Sequence, residues 1–151
     1  MNRIFKTNSD ITMTILRVTL GIVLLAHGLQ KAFGWFGGFG WTNTINYFIS
    51  VDVPAWLGAV VITIETLGAI LLIAGFAGRL NAALMIPVII GAYIIDHSAN
   101  GFYMNWLGTQ KGEGFEFDLL FVAIAIAIVI KGSGRFSVDR LIVRTTPVRP
   151  L

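Results

Sequence analysis

The sequence has no cysteine. That excludes disulfides, thiol relays, and zinc or iron–sulfur centres held by thiolates. Charge is scarce too. Asp, Glu, Lys and Arg make up 13% of the 151 residues, where a soluble domain carries roughly 25%. No G-x-G-x-x-G follows a strand pattern, no Walker loop is present, and no serine, histidine and aspartate form a candidate triad. GWFGGFG is glycine-rich, but its spacing is wrong and it opens no βαβ unit. The chain therefore encodes no domain for a soluble nucleotide cofactor.

What is present is apolar. Hydrophobic residues make up 56% of the chain, and mean hydropathy is +0.79. Too little polar surface remains to cover a water-soluble globule, so the class is a single integral membrane domain over residues 1–151. Four stretches approach the ~20 apolar residues of a membrane helix, at about 12–33, 55–77, 80–96 and 115–130, with a basic tail over 131–151. The expected fold is all-α, a transmembrane four-helix bundle.

A cleaved signal peptide is the alternative for the first stretch, but Arg17 and Lys31 inside it argue for a retained helix. The run VAIAIAIAIVI alternates with period two, yet a lone strand cannot satisfy its backbone in lipid, so it reads as a helix. Ala123 and Ala127 then form a small-xxx-small pair for close packing. Pro87 should kink the third helix, and Gly78-Arg79 makes a tight turn before it.

Basic residues set the orientation. With the N-terminus inside, the cytoplasmic set is Arg3, Lys6, Arg17, Arg79, Lys131, Arg135, Arg140, Arg144 and Arg149, against Lys31 and Lys111 outside. Positive-inside bias then puts both termini in the cytoplasm. The tail GSGRFSVDRLIVRTTPVRP reads as lying along anionic lipid and not as binding nucleic acid. The glycine- and aromatic-rich outer loop allows a short flat helix over 41–49, with Trp41, Ile45, Phe48 and Ile49 dipping into the interface or roofing a cavity.

The charges inside these stretches are the candidate site. Arg17, Gly21, Leu24, Gly28 and Lys31 follow one face of the first helix, with His27 beside it. Gly58, Glu65, Gly68, Leu72 and Gly75 share a face of the second. A carboxylate at the bilayer centre costs ~2.5–3.5 kcal/mol on insertion scales, so Glu65 needs a partner. The expected central pair is Arg17–Glu65, with His27 in the same network and Lys31 reaching toward the outer surface. Such a network is either a polar clasp between helices or a functional site.

Asp96, His97, Glu116 and Asp118 gather at the outer helix ends, where solvation alone would accommodate them. His97 with Glu116 or Asp118 offers nitrogen and oxygen ligands suited to zinc or manganese, but no spacing such as H-x-x-x-H supports a metal centre. A bis-histidine haem between His27 and His97 would leave Lys31 and Glu65 unexplained.

In order, the chain carries Arg17, then H-G-L-Q-K (His27 to Lys31), Glu65, Gly68 and Gly75, then G-R-L-N-A-A (Gly78 to Ala83). His97, Gly101 and Glu116 follow, and the exit reads G-S-G-R-F-S-V-D (Gly132 to Asp139). Over about Arg17 to Asp139 this series resembles the DoxX family of small bacterial membrane proteins. The resemblance implies a four-helix protein of the bacterial inner membrane. It also implies similarity to the DoxD-like subunits of thiosulfate:quinone oxidoreductase, or to proteins of quinone, catechol and redox stress that associate with redox partners. The cofactor implied is a quinone, and the electrons would come from a partner subunit. The resemblance carries over positions and not roles; the chemistry of a quinone headgroup itself gives the expectation that His27, Lys31 or Arg17 donates hydrogen bonds and Glu65 relays protons. A non-catalytic membrane scaffold or assembly factor and a small transporter are the competing expectations, although no inverted repeat supports transport; a homo-oligomer is the alternative to a redox partner subunit.

Overall fold

The computed structural model describes residues 3–145. Residues 146–151, Arg149 among them, lie outside the described residues, as do the side chains of Arg3 and Arg144.

The first helix, α1, spans Ile11–Phe33. It starts where the Asp10 carboxylate accepts the Thr12 N–H at 2.8 Å, an N-cap that satisfies an otherwise orphaned donor. It stops at Gly34, whose φ of 74° suits a left-handed C-cap and whose N–H reaches the Gln30 carbonyl at 3.1 Å. Its buried residues, Met13, Arg17, Leu20, Gly21, Leu24 and Gly28, recur at three- and four-residue spacing, the stripe of a helix with one packed face.

A short turn, Trp35–Gly37, leads into α2, Gly40–Ser50. A helix is therefore present where one was expected over 41–49. It turns Phe48 and Thr44 inward and leaves Trp41 and Ile49 exposed. Phe48 lies on Gly58, where a Cβ would come within 2.7 Å of its ring.

Helix α3, Ala55–Ala74, contains one wide π turn at Ile64–Gly68. It ends at Gly75, left-handed with φ 70°. Helix α4, Gly78–Asn100, likewise holds a π turn, Tyr93–His97, and closes in a tighter turn over Ser98–Asn100. It runs four residues beyond the expected 80–96. Pro87 is accommodated inside its regular portion. The loop after it folds back on itself: Phe115 and Glu116 donate their N–H groups to the carbonyls of Gly101 and Phe102, at 3.2 and 2.9 Å.

Helix α5, Glu116–Lys131, follows, and then α6, Val138–Thr145. Among the described residues there is no strand, so the alternating run is helical. Its expected small-residue contact is corrected. Ala125 and Ile128 are the buried pair, while Ala123 faces outward. Large branched neighbours on both sides of each alanine left the packed face ambiguous.

Three helices, α1, α3 and α4, are long and apolar enough to cross a membrane. Helix α5 has 16 residues, about 24 Å at 1.5 Å per residue, somewhat short of a ~30 Å hydrocarbon core. It nevertheless packs along α4 and α1. The core draws on all four: Leu20 and Leu24 of α1, Ala69 and Leu72 of α3, Met85 and Ile89 of α4, and Ala125 and Ile128 of α5. Ile15, Ile22, Leu67, Ile94 and Leu120 point outward from the same helices. Helices apolar both inside and outside are the mark of a lipid-embedded protein.

The charges divide the molecule into two ends. Lys6, Arg79, Lys131, Arg135 and Arg140 mark a basic end; Asp96, Glu113, Glu116 and Asp118 mark an acidic one.

Candidate functional site: a charged network at the acidic end

Glu65 sits in the π turn of α3 and is buried, 5% exposed. Its Oε2 lies 2.6 Å from Lys31 Nζ. The expected Arg17–Glu65 pair does not form. Two features of the chain explain why. First, α1 and α3 cross with Gly28 against the Glu65 backbone: a Cβ on Gly28 would come within 2.6 Å of the Glu65 carbonyl carbon and oxygen. Glu65 is therefore level with Gly28, while Arg17 lies three turns below, about 16 Å along the axis. Second, Cα–Cβ bonds in a helix tilt toward its N-terminus. Lys31 thus points down toward Glu65, while Arg17 points away from it, toward the basic end.

Arg17 has a different set of partners. Its side chain is 1% exposed. Nε donates to the Ser133 carbonyl at 2.9 Å and Nη2 to the Phe136 carbonyl at 2.6 Å. Nη1 donates to the carbonyls of Leu72 and Ile73, so the cation caps the C-terminal turn of α3, where the helix dipole favours positive charge.

Asp139, fully buried, completes this end. Its carboxylate accepts the N–H groups of Ala77 and Gly78, at 2.7 and 3.0 Å, and the Ser133 hydroxyl at 2.5 Å, capping the start of α4. The segments G-R-L-N-A-A and G-S-G-R-F-S-V-D, far apart in sequence, are thus one structural unit. Sequence reasoning missed Asp139. The signal available was a lone acid among basic residues directly before an apolar turn.

The remaining charges gather around the Lys31–Glu65 pair. His97, in the π turn of α4, places Nδ1 2.6 Å from Asp118 Oδ2. His27 lies within electrostatic range of Lys31, Glu65, His97 and Asp118. It is an exposed residue of α1. Accessibility falls inward from His27, through Lys31 and His97 at 29% and 27% of their side chains, to Asp118 at 13% and Glu65 at 7%. Glu65 and His97 both occupy π turns, which widen a helix locally and recur at functional sites.

Helix α2 covers the network from the acidic end. The Thr44 hydroxyl reaches the Lys31 carbonyl at 3.4 Å, and the Tyr47 hydroxyl donates to the Asp96 carboxylate. That bond, helped by partial burial, pushes the Tyr47 phenol up to about 12. Glu116 is not part of the network. Its Oε1 accepts the Trp106 indole N–H at 3.0 Å and the Met104 N–H at 3.3 Å, which pins the loop before α5. With Glu116 turned to the loop, no group of three metal-ligating side chains forms among the described residues.

The network holds two carboxylates, two imidazoles and one ammonium; four of these five groups meet as Lys31–Glu65 and His97–Asp118, and His27 lies within electrostatic range of both pairs. Nothing in this set carries electrons.

The chain matches the family model described as DoxX over residues 12–98. It is 31% identical to "Putative oxidoreductase CatD" of Bacillus subtilis over 139 residues, which is 92% of this chain and 90% of that protein. It is 27% identical to "Inner membrane protein YphA" of Escherichia coli over 141 residues, 90% of this chain and 94% of that one. No solved structure gives a significant match. Family model and full-length relatives agree with the apolar, all-helical body described above: the chain belongs to the DoxX family.

Proposed function

We propose that the chain is a four-helix protein of a bacterial inner membrane, with both termini cytoplasmic, that serves quinone-linked redox chemistry as the membrane subunit of an oxidoreductase. The observation that carries this reading is the gathering of His27, Lys31, Glu65, His97 and Asp118 into one network with an exposed histidine at its rim. The relatives support it in part, since one is named as an oxidoreductase and another as an inner membrane protein. The excess of Lys and Arg at the basic end supports the orientation.

A quinone supplies two-electron chemistry and accepts two protons on reduction. The donor set here suits its headgroup. The His27 ring and Lys31 Nζ are the groups that would donate hydrogen bonds to the carbonyls of such a headgroup. Glu65 and Asp118 hold and return protons through Lys31 and His97. The chain has no cysteine to carry electrons, and a redox partner subunit would supply them.

The test is purification from the native membrane in mild detergent, with mass spectrometry of bound quinone and partners and an assay of quinone-dependent turnover. The reading predicts a co-purifying quinone or redox subunit and a loss of about a hundredfold in Glu65→Gln and Lys31→Ala, the scale of a lost general acid–base group. Unchanged turnover in both variants contradicts it.

One observation favours a scaffold instead. Arg17 donates only to backbone carbonyls, at the junction of α3, α4 and the segment before α6, which is a purely structural use of a buried charge. A lone, colourless protein with no bound quinone is the outcome of that reading.

A further inference from the structure

At the basic end, far from the charged network, a shallow hollow is lined by Ile4, Arg79, Leu80 and Val129. Three of its four walls are apolar and the fourth is a cation. Arg79 is fixed there by two backbone carbonyls: Nε donates to Lys6 and Nη1 to Val129, each at 2.7 Å. These bonds set the plane of the guanidinium without neutralising it. Among the described residues the ion pairs are Lys31–Glu65 and His97–Asp118, so no carboxylate answers Arg79, and Nη2 has no hydrogen bond.

The surroundings are basic. Lys6 and Lys131 are exposed nearby in the chain. The two acids of this end are engaged elsewhere, Asp10 on the Thr12 N–H and Asp139 on the α4 N-terminus. Leu80, 45% exposed, leaves the hollow open on its apolar side.

We propose that this hollow binds an anionic phospholipid, with its phosphate on Arg79 Nη2 and the Lys6 ammonium and one acyl chain along Leu80 and Val129. A guanidinium held by two carbonyls presents its remaining N–H groups in a fixed direction, which suits a phosphate oxygen. Basic pockets between membrane helices at a cytoplasmic surface recognise such headgroups. The three apolar walls select a lipid over free phosphate, because a bare anion would gain nothing from them and would lose water.

Native mass spectrometry of the full chain in mild detergent tests this. The probes are dioleoyl phosphatidylglycerol, dioleoyl phosphatidylcholine and glycerol 3-phosphate. Phosphatidylglycerol binds more tightly than phosphatidylcholine, and each lost cation, in Arg79→Gln or Lys6→Gln, weakens it about fivefold. Lys6→Gln keeps the backbone carbonyl that Arg79 uses, so it reads the charge without disturbing the fold. Leu80→Trp fills the hollow from the lipid side and lowers phosphatidylglycerol binding while leaving Arg79 in place. Equal binding of the two lipids, a phosphatidylglycerol preference unchanged in Lys6→Gln and Leu80→Trp, or displacement of the lipid by equimolar glycerol 3-phosphate overturns the proposal.

Discussion

Lys31 Nζ and Glu65 Oε2 meet at 2.6 Å, one helical turn from the point where Gly28 lies against the Glu65 backbone. The ion pair and the helix crossing are one feature. The glycine lets two backbones approach, and the approach puts a lysine, pointing toward its helix N-terminus, on a carboxylate that lipid would not tolerate alone.

A double-mutant cycle separates this pair from the one that composition and depth first pointed to. Removing one partner of a buried pair costs roughly 3–5 kcal/mol, and Lys31→Met and Glu65→Gln should fall toward the lower end because Lys31 is partly exposed. The double variant recovers much of that loss. Arg17→Leu combined with Glu65→Gln should instead be additive within about 0.5 kcal/mol, since the two residues share no partner. Thermal unfolding in detergent measures both cycles. Strong coupling between Arg17 and Glu65 would contradict the observed pairing.

Gly28→Val should separate α1 from α3. A single added carbon already meets the Glu65 backbone at 2.6 Å, and backbone cannot move aside as a side chain can. The cost is about 1–3 kcal/mol or more, the scale of overpacking. Gly91, with open space around it, is the control: Gly91→Ala should be neutral or slightly stabilising, helped by helix propensity. Chemical denaturation in detergent compares the two.

Tyr47 should ionise late. Its phenol, pushed up to about 12 by the bond to Asp96, would return toward an ordinary value of roughly 10 in Asp96→Asn. A folded pKa above the unfolded one means stability is fully present below pH ~10 and is lost as pH rises toward 12, because the unfolded state releases its proton first. Ultraviolet titration of the phenolate, with Tyr47→Phe to assign the signal, checks it.

Much of the helical plan was legible. Apolar runs of near membrane length located α1, α3, α4 and α5, and the spacing of Trp41, Ile45 and Phe48 located α2. The π turns at Ile64–Gly68 and Tyr93–His97 were not legible, because an extra residue in one turn leaves no mark on composition. Those turns shift the face that follows them. Gly58, Gly68 and Gly75, which share one face of an ideal helix, meet Phe48, then Asn81 and Met85, then Ser137. The partner of Glu65 was misjudged because depth counted from span ends ignores where two helices cross. The burial of Asp139 depended on a loop folding back beneath α3 and α4, a long-range contact that local sequence does not encode.

The central claim is that the charged network at the acidic end does the chemical work. His27 tests it most directly, since it is exposed and its loss leaves the buried core intact. Quinone-dependent turnover should be measured in native membranes for the wild type, His27→Ala and the surface control Lys111→Ala. The account predicts a fall of about a hundredfold in His27→Ala, with normal folding and an unaffected control. Turnover in His27→Ala equal to the wild type would contradict it.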